Sequence, residues 1–215
     1  MTAERQHAGS EDLGFVHRFE TGTSADTLLL LHGTGGDEGD LLSIGRRVAP
    51  RANLLSPRGK VLENGMPRFF RRTAVAVFDE ADLVKRTEEL RQFVRAAARH
   101  YSLDPARIRA LGYSNGANTA AALLLLDDSL LAGAALLRAI LPIEPPRPPD
   151  LTGVPVLIAA GRRDPYSPAE RVEALADRLR NAGASVDLRW SLRGHDLDPG
   201  ELDAVAEWVA APPPA

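Results

Sequence analysis

The chain alternates short apolar runs with longer amphipathic ones. Residues 28–31, 53–55, 108–111, 134–137, 154–160 and 186–190 read as strands, with 15–19 as an added edge strand. Most of these runs lack polar alternation, as expected of strands covered on both faces. Between them, Leu83, Leu90, Val94 and Ala97 share one face of a helical pattern spanning residues 80–100. Ser167-Pro168-Ala169-Glu170 reads as a helix start: the serine caps, the proline sits where its missing N–H costs nothing, and the glutamate closes a capping box. Val172, Leu175 and Leu179 form the buried stripe of that helix, and Gly183 ends it. Asp198-Pro199-Gly200-Glu201 repeats the start signal ahead of Leu202, Val205, Ala206 and Val209. Strands alternating with helices predict an α/β fold, with a mainly parallel central sheet of about seven strands and helices on both faces.

A length of 215 residues suits one domain with a substantial core. The expected boundaries are a loosely ordered polar tail at 1–12, a single domain over 13–211, and a proline-rich tail at 212–215. The proline cluster at 144–150 reads as a surface loop, because the strand after it is followed by a further helix, strand and helix. Residues 57–79 show no clear periodicity and carry Phe69, Phe70 and Phe78. So long a loop in a compact domain is usually functional, and this one is expected to form a lip or lid over a site. Little chain remains for a separate cap domain.

Composition removes several classes of function. The formal charge of −3 offers no electrostatic footprint for nucleic acid or an anionic membrane, so neither is an expected partner. Of 26 basic residues only Lys60 and Lys85 are lysines. The scattered arginines, in a chain rich in alanine and proline, read as a coding bias and not as a binding surface. There is no cysteine, which excludes disulfides, thiolate metal sites and a cysteine nucleophile. The apolar runs fall far short of the ~20 residues that span a bilayer. The N-terminus lacks the basic-then-apolar pattern of a secretory signal, and a cytoplasmic location is expected.

The strongest chemical signal is Gly112-Tyr113-Ser114-Asn115-Gly116, between an apolar strand and a run of small residues opening at Ala117. A Gly-x-Ser-x-Gly in that setting is a nucleophile elbow: the turn strains the serine, and the flanking glycines let neighbouring backbone approach. A second glycine-rich segment, Leu31-His32-Gly33-Thr34-Gly35-Gly36, leaves the first strong strand. Its Thr34 N–H and the Asn115 N–H are candidates for an oxyanion hole, which needs unpaired backbone donors aimed at one point. A phosphate loop is the rival, but no Gly-Lys-Ser/Thr follows and Asp37, Glu38 and Asp40 would repel phosphate. A metal site on those acids lacks any fixed ligand spacing.

An acid and a base should follow the serine in that order. Asp164 in Gly161-Arg162-Arg163-Asp164-Pro165, and His195 in Arg193-Gly194-His195-Asp196, both lie on loops leaving strands, the edge where open sheets build sites. Asp196 and Asp198 are rivals for the acid. Asp198 already has a capping role, and Asp196 adjoins the histidine it would have to orient. His32 rivals His195, but it precedes the elbow and suits a loop-positioning role better.

Taken together these segments resemble the phospholipase/carboxylesterase family of α/β-hydrolases, which includes acyl-protein thioesterases and small bacterial carboxylesterases. Residues 68–82, with Phe78-Asp79-Glu80, resemble the bacterial branch, some members of which are linked to quinone or hydroquinone resistance. The resemblance runs from about residue 27 to 209. It implies the α/β-hydrolase fold, Ser114, Asp164 and His195 as catalytic triad, Thr34 and Asn115 as oxyanion hole, and neither cofactor nor metal. Asn115 and Thr34 depart from the acyl-protein thioesterase pattern, which has glutamine after the serine and leucine after His-Gly. The expected activity is a serine carboxylesterase acting on short-chain esters, with thioesterase or lysophospholipase as alternatives within the family. A non-catalytic ligand-binding protein on the same scaffold would normally show a broken triad, and this one reads intact. The expected pocket wall is Phe69, Phe70, Leu141 and Tyr166. The expected partner is a small-molecule ester, with a homodimer as the form of any self-association.

Overall fold

In the computed structural model, which describes residues 13–211, the apolar runs pair into one seven-stranded sheet. The expected tails at 1–12 and 212–215 lie outside the described residues. In chain order the elements are β1 (His17–Glu20), β2 (Thr27–Leu31), α1 (Leu42–Val48), β3 (Asn53–Pro57), β4 (Val61–Glu63), β5 (Met66–Arg68), β6 (Arg72–Ala74) and β7 (Val77–Phe78). Then follow α2 (Glu80–His100), β8 (Ile108–Tyr113), α3 (Asn115–Leu126), β9 (Ala134–Leu137), β10 (Pro155–Gly161), α4 (Ala169–Asn181), β11 (Ser185–Ser191) and α5 (Pro199–Ala210). The sheet order is β1-β3-β2-β8-β9-β10-β11. Every pairing in it is parallel except the edge pair of β1 with β3.

Side chains alternate between two cores because successive strand residues point to opposite faces. Leu29 and Leu31 of β2 join α2, α3 and α4 on one face, while Leu28 and Leu30 join α1 and α5 on the other. The same split divides Ala134 and Leu136 from Ala135 and Leu137 in β9. Each leucine so buried contributes about 1.5–3 kcal/mol. Covering both faces makes the strands apolar throughout, and that is why they read as unbroken apolar runs.

Helix α2 spans the expected residues, with Leu83, Leu90, Val94 and Ala97 buried, and α5 has the expected capping box between Asp198 and Glu201. Gly183 closes α4 in the left-handed region at φ 92°. The start of α4 is a correction. Ser167 does not cap it; its hydroxyl donates instead to the Arg138 carbonyl at 3.1 Å, and the helix begins after Pro168 without a side-chain cap. Helix α1 was not legible as a helix. It has no side-chain cap and is held by Leu42 and Val48 packing on the sheet.

Residues 57–79 are also more ordered than a featureless loop. They fold as two small hairpins, β4–β5 and β6–β7. The first turns at Asn64 and Gly65, both with positive φ, 51° and 80°. Asn-Gly is the strongest short-range hairpin signal, because both central residues of the turn must be left-handed. The signal was present in the chain.

Candidate active site

The loops leaving the C-terminal ends of β2, β8, β10 and β11 converge above the sheet. Ser114 ends β8 and begins α3 with φ 53° and ψ −114°, a strained conformation for a residue with a Cβ. The neighbouring glycines make the turn possible. A Cβ on Gly116 would stand 1.9 Å from the Leu31 carbonyl oxygen, and one on Gly112 would stand 2.6 Å from Ala117 Cα. The turn is pinned by Ser114 N–H donating to the Leu137 carbonyl at 2.8 Å and by Asn118 N–H donating to the Ser114 carbonyl at 2.9 Å.

The structure brings Ser114, His195 and Asp164 into one hydrogen-bonded chain. His195 Nδ1 lies 2.8 Å from Asp164 Oδ2, and His195 Nε2 lies 2.9 Å from Ser114 Oγ. A carboxylate only accepts, so the imidazole proton sits on Nδ1 and Nε2 is left to accept from the serine hydroxyl. The second oxygen of Asp164 accepts the Tyr166 N–H at 2.8 Å. Burial by itself would raise the Asp164 carboxyl. The hydrogen bonds from His195 and Tyr166 outweigh it and hold the group below the ordinary carboxylate range. The imidazole stands between two tyrosines, with ring centroids 5.3 Å from Tyr113 and 5.1 Å from Tyr166, and the Tyr113 hydroxyl donates to the His195 carbonyl at 3.0 Å. Among the described residues the imidazole's hydrogen-bond partners are Asp164 and Ser114, not Asp196 or Asp198. Asp196 contributes its backbone carbonyl to Arg138, and Asp198 caps α5.

Among the described residues the N–H groups of Thr34 and Asn115 have no protein acceptor, and both residues line the cavity in front of Ser114. Unpaired donors in such a place are what an oxyanion hole requires. The Thr34 loop is set by its neighbours. His32 is buried; its Nδ1–H donates to the Gly33 carbonyl at 2.6 Å and its Nε2 accepts the Gly59 N–H at 3.0 Å. Both ring nitrogens are therefore committed to a neutral imidazole, and burial pushes the group below the ordinary histidine range. This is a loop-positioning arrangement.

The cavity has a volume of about 290 Å³. Tyr166 lines it; Phe69, Phe70 and Leu141 do not. Phe69 and Phe70 are instead buried in the main core, because their backbone turns inward where the Phe69 N–H donates to Asn115 Oδ1 at 2.7 Å. Leu141 packs against the same core, its carbonyl held by Arg171 Nη2 at 2.7 Å. The second hairpin supplies the wall in their place, through Arg72, Val75, Ala76 and Phe78. Arg171 of α4 also bonds the Ala76 carbonyl and so ties that hairpin to the body of the protein.

Two arginines stand apart from the scattered set. Arg68 is 3% exposed and Arg138 is 1% exposed, and both line the cavity. Arg138 bonds the carbonyls of Gly194 and Asp196 and pairs with Glu201. Arg68 donates to Thr34 Oγ1 at 2.8 Å and to the Phe70 carbonyl at 3.2 Å. The partners of Arg138 are distant in the chain, and Arg68 joins the nearby Phe70 carbonyl to the remote Thr34 hydroxyl. Among the described residues no group of three or more His, Asp or Glu side chains could hold a metal ion, and no helix is long and apolar enough to cross a membrane.

A parallel sheet flanked by helices, with these loops gathered over its C-terminal edge, defines an α/β-hydrolase. The phospholipase/carboxylesterase family model matches residues 20–211, and the chain belongs to that family. It is 50% identical over 192 residues to the putative hydrolase MhqD of Bacillus subtilis, a match covering 89% of this chain and 96% of that one. It is similar to the Bacillus cereus carboxylesterase structure at 44% identity, covering 97% of this chain and 94% of the other with a TM-score of 0.87. The Mesorhizobium loti carboxylesterase structure gives 34% identity, covers 96% and 99%, and has a TM-score of 0.90. The protein is an ester hydrolase.

Proposed function

We propose that the protein is a serine carboxylesterase that hydrolyses short-chain carboxylic esters through an acyl-enzyme on Ser114. The observation that carries this reading is the hydrogen-bonded chain from Ser114 through His195 to Asp164, opening onto a cavity with two free backbone donors. Ser114 Oγ attacks the ester carbonyl while His195 Nε2 takes its proton. Asp164 holds the ring and stabilises its charged form, and the oxyanion accepts from the N–H groups of Thr34 and Asn115. The imidazolium then passes its proton to the departing alcohol. In the second step water gives a proton to His195, attacks the acyl carbon and releases the acid, and the proton returns to Ser114.

The short-chain preference is supported by the cavity volume of about 290 Å³. Methylenes inside gain about 0.8 kcal/mol each, and methylenes beyond the wall gain little. A series of esters from C2 to C16, kept below the critical micelle concentration, tests this. With each buried methylene worth about that much, kcat/KM is expected to rise over roughly C2 to C8 and then level off. A maximum at C12 or longer contradicts the reading and favours a lysophospholipase or acyl-protein thioesterase.

A further inference from the structure

The cavity in front of Ser114 carries several hydrogen-bond donors beside its apolar wall and no carboxylate. Arg68, Arg72 and Arg138 contribute to its wall, and no Asp or Glu does. Arg138 is matched by Glu201, with Nη1 and Nη2 at 2.7 and 2.9 Å from its two oxygens. Arg68 and Arg72 share a single acid. Arg72 Nε lies 2.9 Å from Glu63 Oε1, and Arg68 Nη1 lies 3.0 Å from Glu63 Oε2. The second contact is close but poorly aligned, since Glu63 Oε2 has no hydrogen-bond partner. Two guanidiniums against one carboxylate leave positive charge in excess on this wall. Burial disfavours the charged form of Arg68, and the like charge of Arg72 adds to that. An anion seated between them would relieve both.

Two asparagines border the same cavity. Asn115 Oδ1 accepts the Phe69 N–H at 2.7 Å, and Asn118 Oδ1 accepts the Ile140 N–H at 2.9 Å. Those donors fix which end of each amide is oxygen. Each NH₂ is left without an acceptor among the described residues, and Asn115 Nδ2 is buried and unpartnered. A buried donor is costly to leave in that state. Asn118 lines the cavity with its amide NH₂ uncommitted, whereas the Asn115 amide is enclosed by protein.

We propose that Arg68 and Arg72, beside Asn118, form a carboxylate subsite next to Ser114, and that the preferred substrates are monoesters of short dicarboxylic acids. The hydrolytic step rests on the Ser114 reading above, whereas the binding does not. Because Arg68 also holds Thr34 Oγ1, the anion sits next to the candidate oxyanion hole, within a few bonds of the scissile carbonyl. The ester end is processed as before, and the distal carboxylate is bound without changing chemically.

The test separates binding from turnover. Arg72 is the residue to change, since it is only partly buried on the β6–β7 hairpin, whereas Arg68 is packed inside. Calorimetric titration with glutarate should show saturable binding to the wild-type protein, weakened about tenfold or more in Arg72→Gln, the loss of one charge-assisted contact. By pH-stat, wild-type kcat/KM for monoethyl glutarate should exceed that for its neutral amide, ethyl glutaramate, by about tenfold or more. That ratio should fall in Arg72→Gln and with added salt. Absence of saturable glutarate binding, or a ratio of one or less while both esters turn over, overturns the subsite and leaves the esterase intact. Arg72-dependent glutarate binding with no turnover of either ester supports the subsite and removes the esterase reading.

Discussion

Arg138 donates from Nε to the Gly194 carbonyl at 2.9 Å and from Nη2 to the Asp196 carbonyl at 2.6 Å, so one buried guanidinium grips the chain on both sides of His195. The same group pairs with both oxygens of Glu201 at the start of α5. The position of the imidazole over Ser114 is thus set by a residue at the end of β9, held in the left-handed region at φ 63°. Arg138→Met leaves the Glu201 carboxylate and two carbonyls without their partner. Breaking a buried pair on one side typically costs about 3–5 kcal/mol, and the denaturant midpoint should fall accordingly. Arg138→Met combined with Glu201→Gln removes both charges and keeps an oxygen for the Asp198 N–H; it should regain part of the stability but not the turnover, because the loop carrying His195 stays unanchored. A single variant with a wild-type midpoint and wild-type kcat would contradict this role.

Asp164 and Asp196 are separated by the atoms they offer. Asp164 presents its carboxylate to His195, and Asp196 presents only its backbone carbonyl to Arg138. Asp164→Asn should therefore lower kcat by about 10⁴-fold, because the amide favours the wrong tautomer and cannot stabilise the imidazolium. Asp196→Asn should cost far less. Opposite rankings in steady-state assays would transfer the acid role. The pH dependence of stability follows from the same contact. The folded Asp164 pKa lies below its unfolded value, so its stabilising contribution is complete above the ordinary carboxylate range of about 3.9 and is lost as pH falls through the folded value. Asp164→Asn should flatten that acid limb.

His32 has the opposite ionisation and the same direction of pH effect. Its folded pKa is depressed, so the unfolded chain binds the proton more readily. Its contribution is present above the unfolded value of about 6.5 and is lost as pH falls through the folded value. Melting temperatures measured downward from neutral pH should fall less steeply in His32→Gln than in the wild type. The variant should also be less stable at neutral pH by about 1–3 kcal/mol, since the Gly33 carbonyl and Gly59 N–H lose a shaped partner. An unchanged slope would mean that His32 is not neutral in the folded protein.

Most of the sheet is legible in the chain because β2, β3, β8, β9 and β10 are covered on both faces and therefore apolar without interruption. Ser114 and Asp164 are legible because each stands just beyond such a strand, and His195 because it follows the alternating edge strand β11, in an order that brings the three loops together. What escapes is held by partners remote in sequence. Phe69 and Phe70 read as pocket wall from their place in an aperiodic stretch, yet the Asn115 amide draws them into the core. Arg138 carries no local signature, because the carbonyls of Gly194 and Asp196 become its neighbours only on folding, and the Thr34 hydroxyl reaches Arg68 in the same way. Ser167 has the sequence of a cap, and the Arg138 carbonyl takes its hydroxyl. The Asn64-Gly65 hairpin is the exception: its signal is local and interpretable from the turn chemistry alone.

The central claim is that Ser114 Oγ forms the covalent intermediate, and intact-protein mass spectrometry with a fluorophosphonate probe tests it most directly. The wild-type protein should gain one phosphonyl adduct on the peptide containing Ser114, and ester turnover should be lost in step with labelling. Ser114→Ala should take up no probe and should fall by about 10⁶-fold in kcat, with its fold retained because the hydroxyl adds nothing to the core. An adduct mapped to another residue, or Ser114→Ala turning esters over at a rate near that of the wild type, would contradict the account.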